Sequence, residues 1–282
     1  MVEIGRINTL KVLNVDKKSI YFDGGVFGEI RMPLEMAETP CNEGDTLEVF
    51  VYPDSNDELV ATTQQPYAMA GEFALLQVVS FNNVGAFLNW GLPKDLLVPF
   101  REQLNPMVES KSYVVFVFVD EDSNRMVASS KLEDFLENDP PDLEENDEVD
   151  LLIIKETDLG YSAIINNQHL GVLYHSEVFQ PLTIGQRIKG YIRKLREDGK
   201  IDLILHPLGY EKVDALSRQI LDKLNASNGF IALNDKSPTE AIYRAFAMSK
   251  KSFKMAIGAL YKARLISIGE NGIQLITTEN DK

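Results

Sequence analysis

Cysteine is almost absent from this chain. Cys41 is the single one among 282 residues, so no intrachain disulfide and no thiolate metal cluster can form, which fits a reducing compartment. Histidine is nearly as scarce: His169, His175 and His206 show no metal-ligand spacing with a second histidine or a cysteine. Serine, cysteine and the carboxylates form no nucleophile motif, and neither a Walker loop nor a dinucleotide-binding fingerprint occurs. The expectation is a protein that is not an enzyme and holds no metal and no cofactor. A nuclease built from scattered carboxylates stays open, because such a site needs no local motif. No run of about 18 apolar residues exists, and Met1–Arg6 lacks an apolar signal core. No membrane partner is therefore expected, and the expected location is cytoplasmic.

Positive charge is also in deficit, with 28 Lys and Arg against 43 Asp and Glu, a formal net charge of −15. Residues 186–265 reverse that sign. They hold 16 Lys and Arg against 8 Asp and Glu, a net +8, so the remainder of the chain carries −23. A basic stretch inside an acidic protein is a candidate for polyanion contact, since phosphate neutralisation and counterion release dominate nucleic-acid affinity; solvated helix faces are the plainer reading. Composition is otherwise that of a globular protein, 44% hydrophobic and 25% charged, with room for several domains.

The first two-thirds repeats at a period of roughly 65–75 residues. Glu29–Pro33, Asp95–Pro99 and Leu170–Tyr174 occupy equivalent places, each followed by an alternating strand, Asp45–Val51, Tyr113–Val119 and Arg187–Ile192. Each copy closes with a turn and a last strand, at Asn56–Thr62, Asp122–Ser129 and Glu197–Ile204. About five short alternating strands per unit suit a small closed barrel of the OB type. The predicted fold class is thus multidomain β plus α: OB-fold five-stranded barrels at 1–65, 66–132 and 149–207, then a winged-helix domain at 208–282. Between the second and third barrels, residues 133–148 are strongly acidic and contain Pro140-Pro141, which predicts an unpacked linker. Such a block can instead mimic nucleic acid or occupy the basic surface.

After about residue 207 the apolar period lengthens from 2 to 3.6. Val213, Leu216, Ile220 and Leu224 stripe one helix, and Phe230–Leu233 reads as a short strand. Ser237-Pro238-Thr239-Glu240 predicts a helix start with Ser237 as cap, and Ser249 predicts the cap of a second helix over Lys250–Leu265. A hairpin at Ile266–Ile276 completes a winged helix. On the second helix Phe253, Ala256, Ile257 and Leu260 share one side; Lys251, Lys254 and Lys262 lie opposite with Gly258 among them. That basic face carries lysine rather than Arg or Asn, so it is suited to backbone contact rather than base reading.

In the third barrel, Leu159-Gly160-Tyr161-Ser162-Ala163-Ile164 and Gly171-Val172-Leu173-Tyr174-His175-Ser176-Glu177 resemble the RNA-binding OB fold first described in the ribosomal S-one protein, whose signature is G-F-G-A-F-V followed by G-L-V-H-x-S-E. The resemblance sets Tyr161 and Ile164 at the two aromatic positions and Tyr174 at the histidine. The family's last hairpin carries an acidic and a basic residue; here Arg196 and Lys200 stand there, which predicts a more electropositive site. The second barrel keeps Gly85-Ala86-Phe87-Leu88 but has Val84 and Val98-Pro99 at the other binding positions, with Phe87 and Trp90 left either to stack a ligand or to pack. The first barrel matches more weakly, with Tyr21 and Arg31 near its equivalent face. As a whole the chain resembles the conserved virulence factor B family of bacterial RNA-binding proteins, which implies RNA binding and an influence on gene expression through transcripts.

The leading expectation is that single-stranded or irregular RNA, recognised with low sequence specificity, lies in a basic groove formed by the third barrel and the winged helix. Tyr161 and Tyr174 would stack bases while Lys189, Arg193, Arg196, Lys200, Lys250, Lys251, Lys254 and Lys262 hold phosphates. Two alternatives stand beside it: a winged-helix reader of duplex DNA that regulates transcription, and a protein-interaction scaffold whose acidic barrels dock a basic partner.

Overall fold

Alternating apolar residues drive the first two-thirds of the chain into three five-stranded barrels, each strand turning one side chain in two towards the centre. The computed structural model describes residues 1–37, 40–137, 142–178, 181–205 and 215–276. The first barrel comprises β1 (Arg6–Val15), β2 (Ser19–Asp23), β3 (Glu29–Pro33), β4 (Thr46–Pro53) and β5 (Leu59–Thr62), closed in the order β1-β2-β3-β5-β4. The second repeats that order with β6 (Glu72–Phe81), β7 (Gly85–Asn89), β8 (Leu96–Pro99), β9 (Ser112–Val119) and β10 (Met126–Ser129). The third does so with β11 (Glu148–Thr157), β12 (Gly160–Ile165), β13 (His169–Tyr174), β14 (Arg187–Leu195) and β15 (Ile201–Ile204).

The repetition extends to details that close the barrels. The long first strand of each barrel shifts register at one place, between Val12 and Asn14, Val78 and Ser80, and Ile153 and Lys155. A bulge there bends the strand so that it can pair on both sides. The third and fifth strands meet in parallel, as at Arg31 with Val60, Leu97 with Val127 and Gly171 with Ile201. The final hairpin turns through a left-handed residue each time, Asp57, Asn124 and Gly199, residue types that tolerate positive φ.

The first two barrels share a core. Phe50 and Tyr52 of β4 meet Trp90, which is 1% exposed, edge to face at 5.8 and 6.0 Å. The Lys94 ammonium donates to the carbonyls of Pro53 and Asp54 at 3.1 and 2.6 Å, and Arg125 pairs with Asp57. Trp90 thus packs rather than stacking a ligand. A second cluster, Phe73, Val114, Leu152 and Ile164, joins the second and third barrels. The acidic stretch expected to stay unpacked contributes to it: Leu132–Phe135 forms a short 3-10 helix, and Phe135 stacks on Phe116 at 4.3 Å. Its apolar residues outweigh the self-repulsion of the acids, because those carboxylates remain in solvent. Residues 138–141, with the proline pair, lie outside the described residues.

The carboxyl-terminal domain is α1 (Ala215–Asn225), β16 (Phe230–Ile231), α2 (Thr239–Phe246), α3 (Lys250–Lys262), β17 (Ile266–Gly269) and β18 (Gly272–Leu275), with sheet order β16-β18-β17. Its core joins Ile220, Leu221 and Leu224 to Ile242, Phe246, Phe253, Ile257 and Leu260. The buried stripe of α1 is Ser217, Ile220, Leu221 and Leu224, whereas Leu216 is 36% exposed; Val213 and His206 lie outside the described residues. The Ser217 hydroxyl lets that position go inside by donating to the Ala256 carbonyl at 3.2 Å. Ser249 caps α3, accepting from the Ser252 amide at 3.1 Å. Ser237 does not cap α2: its hydroxyl accepts from the Asn234 amide, and Pro238 takes the cap position without a side-chain bond.

The chain divides into two compact units. One holds Met1–Leu143, Val149–Lys189 and Leu195–Leu203; the other holds Glu144–Glu148, Gly190–Lys194 and Ile204–Lys282.

Candidate nucleic-acid interface

Strand parity decides which third-barrel side chains can meet a ligand. Tyr161, Ala163 and Ile165 share one face of β12 and all three are buried, Tyr161 to 6% exposure. The ring expected to stack a base is therefore almost closed off from solvent. His175 covers it. The His175 ring stands edge-on to Tyr161 at 5.4 Å, is itself exposed, and holds its Nε2 3.0 Å from the Thr157 carbonyl. Beside it, Leu159 is 69% exposed, and its carbonyl accepts from the His175 amide at 3.1 Å. Gly160 allows this close meeting of loop and strand, since a Cβ there would lie 2.0 Å from the Leu173 carbonyl oxygen. His175 is thus the exposed ring of this face.

Tyr174 closes β13 half-buried. Its hydroxyl donates to Asp202 Oδ1 at 3.2 Å and accepts from Arg196 Nη1 at 3.4 Å. Arg196 also lies 3.0 Å from Asp198 and 3.9 Å from Asp202, and Lys200 lies 3.5 Å from Asp198. The Asp198 carboxylate is the main influence holding the Arg196 guanidinium's pKa above its ordinary value. Arg196 and Lys200, expected to make this site more electropositive, are thus each compensated by a neighbouring carboxylate. Asp198 sits two residues from each base in the sequence, which is the reach of a tight turn. Lys189 is likewise paired, with Asp150 at 3.0 Å, and Arg193 has an interaction of its own.

Helix α3 contrasts with this. Lys251, Lys254 and Lys262 are exposed and have no ion-pair partner among the described residues, while the Lys250 ammonium donates to the Lys236 carbonyl at 3.4 Å. Met255 and Tyr261 accompany them at 61% and 57% exposure. Phe253, Ala256 and Leu260 on the opposite side are buried, which fixes the lysine side outward. Gly258 lies within this exposed side; an added Cβ would meet no described atom within 4 Å. A helix-interior glycine costs about 1 kcal/mol relative to alanine. Of the ten residues expected to bind, the structure therefore leaves three as unpaired exposed cations, all on α3.

The family model for a CvfB-like winged helix domain matches residues 218–275, and the one for an S1 domain matches residues 4–64. Conserved virulence factor B of Staphylococcus saprophyticus is 26% identical over 285 residues, covering 96% of this chain and 94% of that protein. The same protein from Staphylococcus aureus is 27% identical over 287 residues with the same coverage. The chain is similar to the conserved virulence factor B proteins along nearly its whole length. A solved multidomain protein with nucleic acid binding domains from Streptococcus pneumoniae is 23% identical, covers 97% of this chain and 98% of its own, and superposes with a TM-score of 0.40. The S1 match falls on the first barrel, which carries the fewest signature residues. There the likeness lies in the barrel framework rather than in a binding face. S1-type barrels and a winged helix are both nucleic-acid-binding modules and support that role for the chain. None of the described helices is long and apolar enough to cross a membrane.

Proposed function

We propose that this protein binds single-stranded or irregular RNA with low sequence selectivity and acts on gene expression after transcription, without catalysis. The observation that carries the reading is the row of unpaired lysines on α3, in a chain whose other predicted phosphate contacts are mostly neutralised by neighbouring acids. Lysine supplies point charge to phosphates but no bidentate base recognition, which favours backbone contact over the reading of a duplex DNA sequence. On the third barrel His175, Leu159 and Tyr174 offer a partly apolar surface on which an unpaired base can stack, a contact worth about 1–3 kcal/mol. Fluorescence anisotropy with a ~20-nucleotide single-stranded RNA and a duplex DNA of the same sequence, at two salt concentrations, is the test. Salt-dependent preference for RNA, recovered uncleaved, is expected; preference for the duplex would move the protein to the transcription-regulator reading.

A second reading, protein docking, has one observation in its favour. A cleft of about 460 Å³ on the second barrel is lined by Phe81, Phe100, Leu104, Pro106 and Met107 together with Gln103 and Asn105. A partner that stays bound through nuclease treatment would support it.

A further inference from the structure

Helix α3 has a gap at the centre of its exposed face that the fold does not use. At about 100° per residue, Lys251, Lys254 and Lys262 stand within about 40° of Gly258 around the helix axis, and Met255 and Tyr261 within about 60°. Glycine inside a fold normally answers to a positive φ or to a crowded neighbour. Gly258 has neither: its backbone is helical, and a Cβ would enter open space among the described residues. Gly160 shows the contrast, with its Cβ position blocked at 2.0 Å. Alanine would make α3 a firmer helix, so the packing of the described residues does not account for the missing side chain.

We propose that Gly258 is the seat where the sugar-phosphate backbone of a bound RNA strand lies against α3, an inference that rests on the RNA-binding reading above. Without a Cβ the strand settles closer to the helix, between rather than upon the lysine stems. Lys251 and Lys254 then reach its phosphates from one side of the seat along the axis and Lys262 from the other, while the exposed ring of Tyr261 lies against a sugar or base. The gain from depth is electrostatic, since each ammonium–phosphate attraction grows as the separation falls and as water is displaced from between them. Backbone N–H groups in mid-helix are already engaged, so the seat contributes room and not hydrogen bonds.

The test uses the full chain in three single variants, Gly258→Ala, Gly258→Leu and Ala259→Leu, the last adding bulk at an exposed position about 100° away on the same helix. Gly258→Ala should raise the thermal midpoint by a few degrees yet weaken binding of a single-stranded RNA about tenfold, with Gly258→Leu weaker again. Ala259→Leu should stay within about twofold of the parent. Unchanged affinity in Gly258→Ala, while a Lys251→Ala, Lys254→Ala, Lys262→Ala triple variant loses binding, would remove the seat and leave the lysine reading standing. Unchanged affinity in both would remove the two together. A lower thermal midpoint for Gly258→Ala would show that the fold itself needs the glycine and would also overturn the proposal.

Discussion

Removing the three unpaired lysines of α3 should change the salt dependence of RNA binding by an amount that follows from counting. Lys251, Lys254 and Lys262 carry no ion pair among the described residues, so replacing them with alanine frees no buried partner and opens no cavity. Alanine is also at least as good a helix former, and exposed substitutions of this kind shift stability by no more than about 0.5 kcal/mol. The effect on binding is then electrostatic. Along the axis Lys251 and Lys254 are about 4.5 Å apart and Lys262 is about 12 Å further on, a spacing that extended side chains can spread over separate phosphates. Each phosphate neutralised on a single strand contributes about 0.7 to the slope of log affinity against log salt, so three contribute about 2. Over a fourfold rise in salt those contacts cost about 4², or roughly 16-fold, in affinity. Anisotropy titrations of parent and triple variant across such a range should show the variant's slope shallower by about 2. A slope that does not change, whatever happens to the affinity at one salt concentration, would refute the assignment of these lysines to phosphates.

Two further outcomes follow from the pairing and packing described above. Asp198→Asn with Asp202→Asn frees Arg196 and Lys200 from their carboxylates; if the hairpin faces RNA, affinity rises and the salt slope steepens by about 1.4, whereas no change would place the hairpin away from the ligand. Trp90→Ala empties the shared core of the first two barrels and should cost about 3–5 kcal/mol in chemical denaturation, with RNA affinity retained at temperatures where the protein stays folded; a loss well below 1 kcal/mol would mean that the two barrels do not depend on that contact.

Most of the fold was legible because strand alternation and helical period are local properties, and each leaves its mark on residues near one another in sequence. Ser249 could be read as a cap for that reason. Ser237 could not, because its hydroxyl is committed to Asn234, whose amide side chain is in turn fixed by the carbonyls of Gly269 and Glu270 some 35 residues away. Phe135 was hidden in the same manner: an acidic neighbourhood predicts solvent, and only the apposition of two barrels supplies the apolar surface it covers. The candidate site was read less well than the fold. A family signature located a candidate strand, yet it drew attention to Tyr161, whose ring is only 6% exposed and lies under the exposed His175. Positive charge was counted along the chain, but charge acts through its neighbours. Arg196 and Lys200 are flanked by Asp198 and Asp202, and once the turn folds they answer one another.

The same locality explains how an acidic protein can hold a polyanion. At physiological ionic strength charges further away than about 8 Å are largely screened, so a phosphate held at α3 responds first to Lys251, Lys254 and Lys262 rather than to the −15 of the chain as a whole. Lower the salt to about 0.01 M and the screening length grows to about 30 Å, at which range the net negative charge of the chain also acts on an approaching strand. Two terms then oppose: the lysine contacts strengthen as salt falls, while repulsion from the whole chain strengthens with them. The plot of log affinity against log salt should consequently be linear near physiological salt and flatten below it. A basic protein using the same three contacts would show no such bend, so the curvature measures the net charge of the molecule and the linear portion measures its binding face.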